Sequence, residues 1–389
     1  MLSHYHGELM NIATVKIQDL TMEGLFREMA RLEASDMILT VGAPPQFRLH
    51  GTLVAMSSEP LDAHTTQRLA FSVVNSEQRQ ELEKTQNCDF STGVDGISRF
   101  RIHIYRQRDS FALTARFIPL EIPDFHTLGI PDLARDFVNR PHGLVLVTGP
   151  AGSGKSTTLA AMVNLINQTR HMHIVCIEDP IEYLHRHQRS VVDQREVHRD
   201  TPGFEEALRA VFRESPDVIM VGEMRDLETI RLALTLAETG HLIMATLHTQ
   251  DTIHAVHRIV DVFPADQQQQ INTQLSMVLV GVLSQQLLPA VDGQSLVLAT
   301  EIMNVNHAIR NLIRDRQLAQ IYSVIQTCRS EGMITMTDAL FELCLAGRIT
   351  PDNALLRAPQ PKELTKLLAS TRAHGIQPAN RTRGDNGGL

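Results

Sequence analysis

The first third of the chain alternates apolar and polar residues, which is typical of antiparallel strands that bury one face. Segment 98–107 (SRFRIHIYRQ) places Phe and Ile between Arg and His, and segment 110–118 (SFALTARFI) follows after a two-residue turn. These two segments predict a hairpin with arginines on one face. With a helix over residues 21–32 and short strands before the hairpin, the pattern predicts an α+β domain at residues 17–118.

The pattern changes after a proline-containing stretch, residues 119–140, which is expected to be a linker. Between residues 143 and 248, continuous apolar runs alternate with segments of helical periodicity. Such runs are typical of parallel strands covered by helices on both faces, so residues 141–357 predict an α/β domain. Beyond about residue 263 the pattern is mostly helical.

The two ends of the chain carry weaker patterns. Residues 1–16 are expected to be an N-terminal extension. Residues 358–389 contain prolines, glycines and an excess of basic residues, and are expected to be a partly disordered tail. The predicted fold class is therefore α/β, with a small α+β domain followed by a larger α/β domain that ends in a helical part.

Composition narrows the possible partners and location. The chain has 389 residues, 43% of them hydrophobic, and a net charge of −8. Nucleic-acid partners are not expected, because the chain lacks an overall basic field and has no Trp and only four Tyr for base stacking. Four separated cysteines without a CxxC pair argue against a zinc ribbon or disulfide framework, and no apolar run reaches the length of a spanning helix. The expected location is the cytoplasm.

The strongest motif lies between an apolar strand and a helix. Residues 149–156 (GPAGSGKS) match GxxxxGK[ST], in which glycines let backbone N–H groups surround phosphate oxygens. Lys155 is expected to reach the β and γ phosphates, and Ser156 to bind Mg²⁺. Lys155 is also the single lysine between residues 85 and 361, as suits a site that needs a compact point charge. The predicted nucleotide-binding residues are Gly149, Pro150, Ala151, Gly152, Ser153, Gly154, Lys155, Ser156 and Thr157.

Acidic residues follow two of the predicted strands. Glu223 ends the strand DVIMVG, where a carboxylate acts on Mg²⁺ through water; the alternative is a surface acid at a strand end. A second acidic group, Glu178 to Glu182, closes the strand HIVCI. A carboxylate there can orient or deprotonate an attacking water, and either Glu178 or Glu182 fits this role.

Two histidines flank the apolar run LIMATL. His241 precedes it and His248 follows it. The 18 histidines include no HExxH or Cys/His cluster, so a histidine metal centre is not expected. An imidazole at the end of a parallel strand beside phosphates predicts a sensor of the γ-phosphate; the alternative is a hydrogen-bonded structural histidine.

Five segments in order resemble one family. They are GPAGSGKSTTLAAM, IEDPIEYLH, QREVHRDTPGFEEALR, PDVIMVGEMRDLETIRLALTLAETGH and ATLHT. They are similar to the secretion and pilus ATPase superfamily, and most closely to its PilT-like branch, the retraction motors of type IV pili. The resemblance implies a PAS-like N-terminal domain, a RecA-like P-loop ATPase domain, and a homohexamer that binds ATP between subunits.

The resemblance also assigns roles to residues. It implies that Glu182 is the catalytic carboxylate, Glu223 the Walker B acid, and His241 and His248 the two histidines of the family's His box. It implies that two hairpin arginines, Arg101 and Arg116, reach the nucleotide. The sequence departs from the family at Asp109, where a third arginine is often found, and at Ala151, where Thr is common. The alternative for the arginines is pairing with surface acids.

A later segment favours the retraction branch. Residues 308–315 resemble the AIRNLIRE segment of retraction ATPases, with Asp in place of the last Glu. The tetracysteine zinc motif usual in assembly ATPases is absent from the sequence. The residues of this segment are Ala308, Ile309, Arg310, Asn311, Leu312, Ile313, Arg314 and Asp315.

The family therefore implies a motor at the cytoplasmic side of the inner membrane that hydrolyses ATP to power pilus retraction. Its expected partners are other copies of the chain and an inner-membrane platform protein, with a second retraction ATPase as a candidate. The alternatives are a pilus-assembly or type II secretion ATPase, an accessory retraction ATPase and, more distantly, a RecA-type nucleic-acid translocase. An inactive adaptor is disfavoured because Lys155, Glu182 and Glu223 are all present.

Overall fold

The computed structural model describes residues 16–49, 52–56, 58–119, 121–293 and 295–373. The chain divides into two compact units, Met1–Glu121 and Ile122–Leu389, so the expected α/β class with two units is confirmed. No helix in the described ranges is long and apolar enough to cross a membrane. Nearly all of the expected N-terminal extension and the last 16 residues of the expected tail lie outside these ranges.

The described part of the first unit contains one antiparallel sheet and three α-helices. Its strands are β1 (Asp36–Leu39), β2 (Gln46–Leu49), β3 (Thr52–Ala55), β4 (Asn87–Val94), β5 (Ser98–Gln107) and β6 (Ser110–Ile118). Its helices are α1 (Met22–Arg31), α2 (Ala63–Phe71) and α3 (Ser76–Thr85), after a short 3₁₀ turn at Ile17–Asp19. The strand order is β3-β2-β1-β6-β5-β4, with β5 and β6 paired as the predicted hairpin.

Alternation along β5 decides which face of this sheet is covered. Phe100, Ile102 and Ile104 are fully buried, and the ring of Phe100 stacks on that of Phe26 in α1 with centroids 4.1 Å apart. Thr21 caps the N-terminus of α1, because its hydroxyl accepts a hydrogen bond from the Gly24 amide at 3.1 Å. Burial of this aromatic face contributes to the hydrophobic core of the first unit.

The second unit is built on a seven-stranded sheet. Its strands are β7 (Gly143–Thr148), β8 (His173–Glu178), β9 (Val191–Glu196), β10 (Val218–Val221), β11 (Leu242–Leu247), β12 (Leu279–Pro289) and β13 (Leu296–Asn304). Their order is β13-β12-β7-β11-β10-β8-β9, and every neighbouring pair is parallel except β12 with β13. Residues on both faces of β7 are buried, which explains its unbroken apolar run.

Helices cover both faces of this sheet and extend beyond it. They are α4 (Phe125–Leu128), α5 (Leu133–Val138), α6 (Lys155–Thr169), α7 (Phe204–Val211), α8 (Leu227–Glu238), α9 (Thr252–Asp261), α10 (Gln268–Val278), α11 (His307–Arg314), α12 (Ile321–Thr327), α13 (Met336–Leu345), α14 (Pro351–Arg357) and α15 (Pro361–Ala373). Short 3₁₀ turns occur at Leu318–Gln320 and Arg329–Glu331. The α4 to α6 helices pack on one face, and α7 to α11 on the other.

Three regions differ from the sequence expectations. The expected linker, residues 119–140, contains α4 and α5, and Phe125 and Phe137 are buried in the core of the second unit. The region beyond residue 263, expected to be mostly helical, contains the long β12–β13 hairpin. Its apolar run fits a buried helix as well as a strand, so periodicity alone does not decide between them. The helical part extends past residue 357, because Leu364 of α15 is buried against the helices before it.

The edge of the sheet contains a titratable pair that predicts a pH dependence of stability. His173 Nε2 lies 2.9 Å from Asp193 Oδ2, which joins the starts of β8 and β9. Burial disfavours the charged imidazole, but hydrogen bonds with Asp193 and Ser215 outweigh it and raise the pKa of His173 above 6.5. The pair therefore stabilises the fold fully below about pH 6.5, and this contribution is lost as pH rises through the raised pKa.

We expect Asp193→Asn to lower the free energy of unfolding by at most about 1 kcal/mol at about pH 6, and by less at about pH 8.5. Urea denaturation at the two pH values measures this difference. The matched control is Glu214→Gln, which breaks the pair of Arg195 Nη1 and Glu214 Oε1 at 2.8 Å. Arginine does not titrate in this range, so the control loss is the same at both values. An equal loss for Asp193→Asn contradicts the raised pKa.

Candidate nucleotide and catalytic site

The loop between β7 and α6 is shaped by close backbone approaches. Gly149 has φ +146°, and a Cβ there would lie 2.4 Å from the Gln285 carbonyl oxygen and 2.5 Å from Ser153 Oγ. Only glycine fits both the dihedral and the space. Ser153 Oγ is buried and has no hydrogen-bond partner among the described residues. A buried, unpartnered hydroxyl in a glycine loop at a helix N-terminus fits phosphate oxygens.

Lys155 begins α6 and points back into this loop. Its Nζ donates hydrogen bonds to the carbonyl oxygens of Gly149 and Pro150, both at 2.9 Å. Burial lowers the pKa of Lys155, whereas the negative charges of Glu223 and Glu182 act in the opposite direction. The ammonium group is thus held at the loop, within the electrostatic range of both carboxylates that the sequence singles out.

Glu223 follows β10 and lies between two nitrogen donors. Its Oε1 is 3.2 Å from His248 Nε2, and its Oε2 is 2.7 Å from Arg225 Nη2. Burial alone raises the pKa of Glu223, but these donors outweigh it and hold the pKa below the ordinary value. The carboxylate is therefore charged at neutral pH.

His248 connects the carboxylate to the lysine. Its Nδ1 lies 3.5 Å from Lys155 Nζ, on the opposite side of the ring from Glu223. The ammonium group of Lys155 can only donate, so we assign Nδ1 as the acceptor and Nε2 as the protonated nitrogen that donates to Glu223. The structure thus brings Lys155, His248 and Glu223 together at one edge of the sheet.

The two candidate acids of the segment 178–182 occupy different environments. Glu178 is buried, and its carboxylate accepts hydrogen bonds from the Glu182 amide at 3.2 Å and from Gln194 Nε2 at 3.0 Å. Glu182 is exposed. The next residue, Tyr183, contacts Thr157 Oγ1 through its hydroxyl at 3.0 Å, which fastens this segment to the start of α6. The geometry favours Glu178 as the residue that holds the segment, and leaves the Glu182 carboxylate accessible.

His241 lies at the other end of β11. Its Nδ1 is 3.0 Å from the Leu236 carbonyl oxygen, and its own carbonyl accepts from the Gly143 amide at the start of β7. Six strand residues separate it from His248, a length of about 20 Å at ~3.3 Å per residue. Within one chain, His241 therefore lies at the edge of the sheet opposite the loop, and its role as a sensor of the γ-phosphate stays a prediction.

The two hairpin arginines lie in the first unit and face acids of the same sheet. Arg101 Nη2 is 2.8 Å from Asp89 Oδ2, and Arg116 Nε is 3.1 Å from Asp36 Oδ1. The side chain of Arg101 is 37% exposed and that of Arg116 is 69% exposed. Ion pairs this exposed contribute little stability, so a stronger anionic partner can replace the carboxylate.

The predicted retraction segment forms α11. Asn306 accepts a hydrogen bond from the Ile309 amide at 3.1 Å and so begins the helix. Ile309 and Ile313 are fully buried, whereas Arg310 and Arg314 are exposed. The helix therefore presents a basic face outward, with its apolar face packed on the second unit.

The sequence did not predict the strand that lies behind the glycine loop. Gln285 of β12 is fully buried, and its Nε2 donates to Thr158 Oγ1 of α6 at 2.8 Å. Its carbonyl oxygen is the atom that excludes a side chain at Gly149. The signal available in the sequence is a polar pair, Gln285 and Gln286, inside an otherwise apolar run. Arg225, the partner of Glu223, was also missed, although it lies two residues further along the same segment.

Several known proteins are similar to this chain over most of its length. Residues 35–340 match the model of the family described as type II/IV secretion system protein. The type IV pilus retraction ATPase PilT of Pseudomonas aeruginosa is 46% identical over 333 residues, which cover 86% of this chain and 96% of the relative. The chain belongs to this secretion ATPase family.

Two further matches refine the position of this PilT-like ATPase. The type IV pilus ATPase PilU of Pseudomonas aeruginosa is 36% identical over 349 residues, which cover 90% of this chain and 91% of the relative. A crystal structure of the pilus retraction motor PilT with bound ADP superimposes with a TM-score of 0.84 at 48% identity. That match covers 90% of this chain and 100% of the other. The predicted ATPase identity and PilT-like branch are confirmed.

Because Glu178 and Glu182 lie in different environments, we expect substitutions at the two positions to affect this PilT-like ATPase differently. We expect Glu182→Gln to bind ADP normally but to lose about 10²- to 10⁴-fold in turnover, as when a general base is removed. Glu178→Gln should retain most of its turnover and melt at a lower temperature, because the amide can accept only one of the two hydrogen bonds. Phosphate release, fluorescent ADP binding and thermal melting measure these effects. The assignment is wrong if Glu178→Gln stops turnover while Glu182→Gln does not.

Proposed function

We propose that the chain is an Mg²⁺-dependent ATP-hydrolysing motor, a homohexamer at the cytoplasmic face of the inner membrane, that powers type IV pilus retraction. It acts by driving pilin disassembly through an inner-membrane platform protein. The observation that carries the proposal is the meeting of Lys155, His248 and Glu223 beside the glycine loop. Similarity over nearly the whole length of PilT supports the choice of retraction as the work performed.

Each residue of the site has a distinct task in this proposal. The backbone amides of the glycine loop and Lys155 bind the phosphates of ATP. Ser156 and Glu223 are the residues that would hold Mg²⁺, which would supply positive charge against the phosphates. Glu182 accepts the proton of the attacking water. His248 donates Nε2–H to Glu223, which keeps that carboxylate oriented and charged.

Arg101 and Arg116 complete the proposed site from a neighbouring subunit. They belong to a different unit of the chain from the glycine loop. Both exchange a weakly bound surface acid for the phosphates of ATP bound to the next subunit. Hydrolysis then requires the ring, because each isolated chain lacks the charge that stabilises the transition state.

The second candidate is an accessory retraction ATPase, favoured by the similarity to PilU over 90% of this chain. The exposed basic face of α11 and its likeness to the retraction segment favour the main retraction motor over assembly or type II secretion ATPases. A nucleic-acid translocase on the same core is disfavoured by the net charge of −8.

The function is tested by deleting the gene and counting surface pili. We expect hyperpiliated cells that do not twitch, and the same phenotype when only Lys155→Ala protein is supplied, because phosphate binding is lost. Bald cells identify an assembly motor instead and contradict the proposal. Normal twitching with Lys155→Ala protein shows that ATP hydrolysis by this chain is accessory to retraction.

The arginine proposal is tested by mixing two inactive proteins. Arg101→Ala/Arg116→Ala protein and Lys155→Ala protein should each lose most turnover, by about 10³-fold or more for the arginine variant. Mixed rings should recover part of the activity, since some interfaces join an intact loop to an intact arginine face. The control is the same mixture under conditions where rings do not form. Mixed rings without any recovery count against donation from a neighbouring subunit.

A further inference from the structure

One buried carboxylate outside the site just described has an unusual set of partners. Glu301 of β13 is 3% exposed. Its Oε1 accepts hydrogen bonds from the Thr252 amide at 2.9 Å and from Thr252 Oγ1 at 2.7 Å. Its Oε2 accepts from the Met336 amide at 3.1 Å. Within the described part of the chain, it forms no ion pair with a Lys, Arg or His.

Both amides are the first of a helix. Thr252 begins α9, and Met336 begins α13. The amides at a helix N-terminus have no partner within the helix and carry partial positive charge, so each end stabilises a negative charge placed on it. One carboxylate thus accepts from two helix N-termini at once, which partly offsets the cost of its burial; burial nevertheless raises the pKa of Glu301 above the ordinary value.

The same carboxylate connects the segment that follows His248 with the helical C-terminal part of the chain. The α9 helix starts four residues after His248, and the chain between them is also held where Ser284 Oγ donates to the Gln250 carbonyl at 2.9 Å. The α13 helix belongs to the helical C-terminal part, where Leu340 packs with Leu364 of α15. Glu301 therefore connects the segment that follows His248 to this helical part.

We propose that Glu301 is a positioning residue for ATP hydrolysis: its carboxylate holds the segment after His248 in place and fastens it to the start of α13. This inference rests on the role proposed for His248. A shift of the main chain at His248 away from Glu223 and Lys155 is resisted, because the chain four residues further on is held by the Glu301 carboxylate.

The chemistry of the side chain makes Glu301→Gln the informative variant. Both carboxylate oxygens of Glu301 accept hydrogen bonds, and the Thr252 amide, the Thr252 hydroxyl and the Met336 amide donate them. A glutamine of the same size offers one acceptor and one donor, so one helix N-terminus faces an N–H group. A second, milder variant is Thr252→Val, which removes one hydrogen bond to Glu301 and keeps the shape of a fully buried side chain.

The experiment combines these variants with His248→Ala. We expect Glu301→Gln to lower kcat about tenfold through misplacement of His248, with KM and ADP affinity changed less than about twofold. In the double variant with His248→Ala, Glu301→Gln should cause no further loss, since its effect acts through the histidine. Thr252→Val should show a smaller loss with the same dependence on His248. Hydrogen exchange at the Thr252 and Met336 amides should be faster in Glu301→Gln.

The matched control is Thr335→Ala. The Thr335 side chain accepts from the Asp338 amide at 3.1 Å, so the variant weakens the start of α13 without removing the contact of Glu301 with α9. It should lower the melting temperature and leave kcat near the wild-type value. If Thr335→Ala lowers kcat as much as Glu301→Gln, the effect is one of general stability and the inference is wrong.

The outcomes separate this inference from the function on which it rests. If His248→Ala turns over normally, the role of His248 fails and this inference fails with it. If His248→Ala is slow but the losses of Glu301→Gln and His248→Ala multiply, only the inference about Glu301 is overturned. Unchanged kcat in both Glu301→Gln and Thr252→Val overturns it as well.

Discussion

The nucleotide site depends on the parallel register of three neighbouring strands. Thr148 at the end of β7 pairs with Leu247 at the end of β11, and Val221 of β10 pairs with Ala245 of β11. Since these strands run in one direction, their carboxyl ends lie at a common edge, where the chain continues into the glycine loop, to Glu223 and to His248. No residue of this set is near another in sequence, so the sheet alone brings them together.

The parts of the structure that could be predicted are those in which local pattern and tertiary role agree. The glycine loop needs residues that adopt positive φ angles, a lysine and the start of a helix, and residues 149–156 contain all three. The apolar runs of β7, β10 and β11 predict buried parallel strands because both faces are covered. The hairpin of β5 and β6 follows from strict alternation.

The parts that could not be predicted depend on contacts between distant segments. The two histidines flank one strand and look equivalent in the sequence, but a strand has two ends and only its carboxyl end meets the loop. The different environments of Glu178 and Glu182 depend on Gln194, which holds the Glu178 carboxylate and belongs to β9, a strand that the sequence pattern did not predict. The β12–β13 hairpin was missed because a fully buried strand and a buried helix share the same apolar run.

The contact between β12 and Gly149 has a mechanical consequence. A main-chain oxygen of Gln285 occupies the space in which a side chain would stand, and the same residue holds α6 through Thr158. The glycine loop therefore lies directly between α6 and β12, a strand more than a hundred residues away in sequence, and no free space separates Gly149 from the Gln285 carbonyl oxygen. Because the interior is close-packed here, a shift of β12 towards α6 would displace the glycine loop as well, so the position of this hairpin limits the position of the loop.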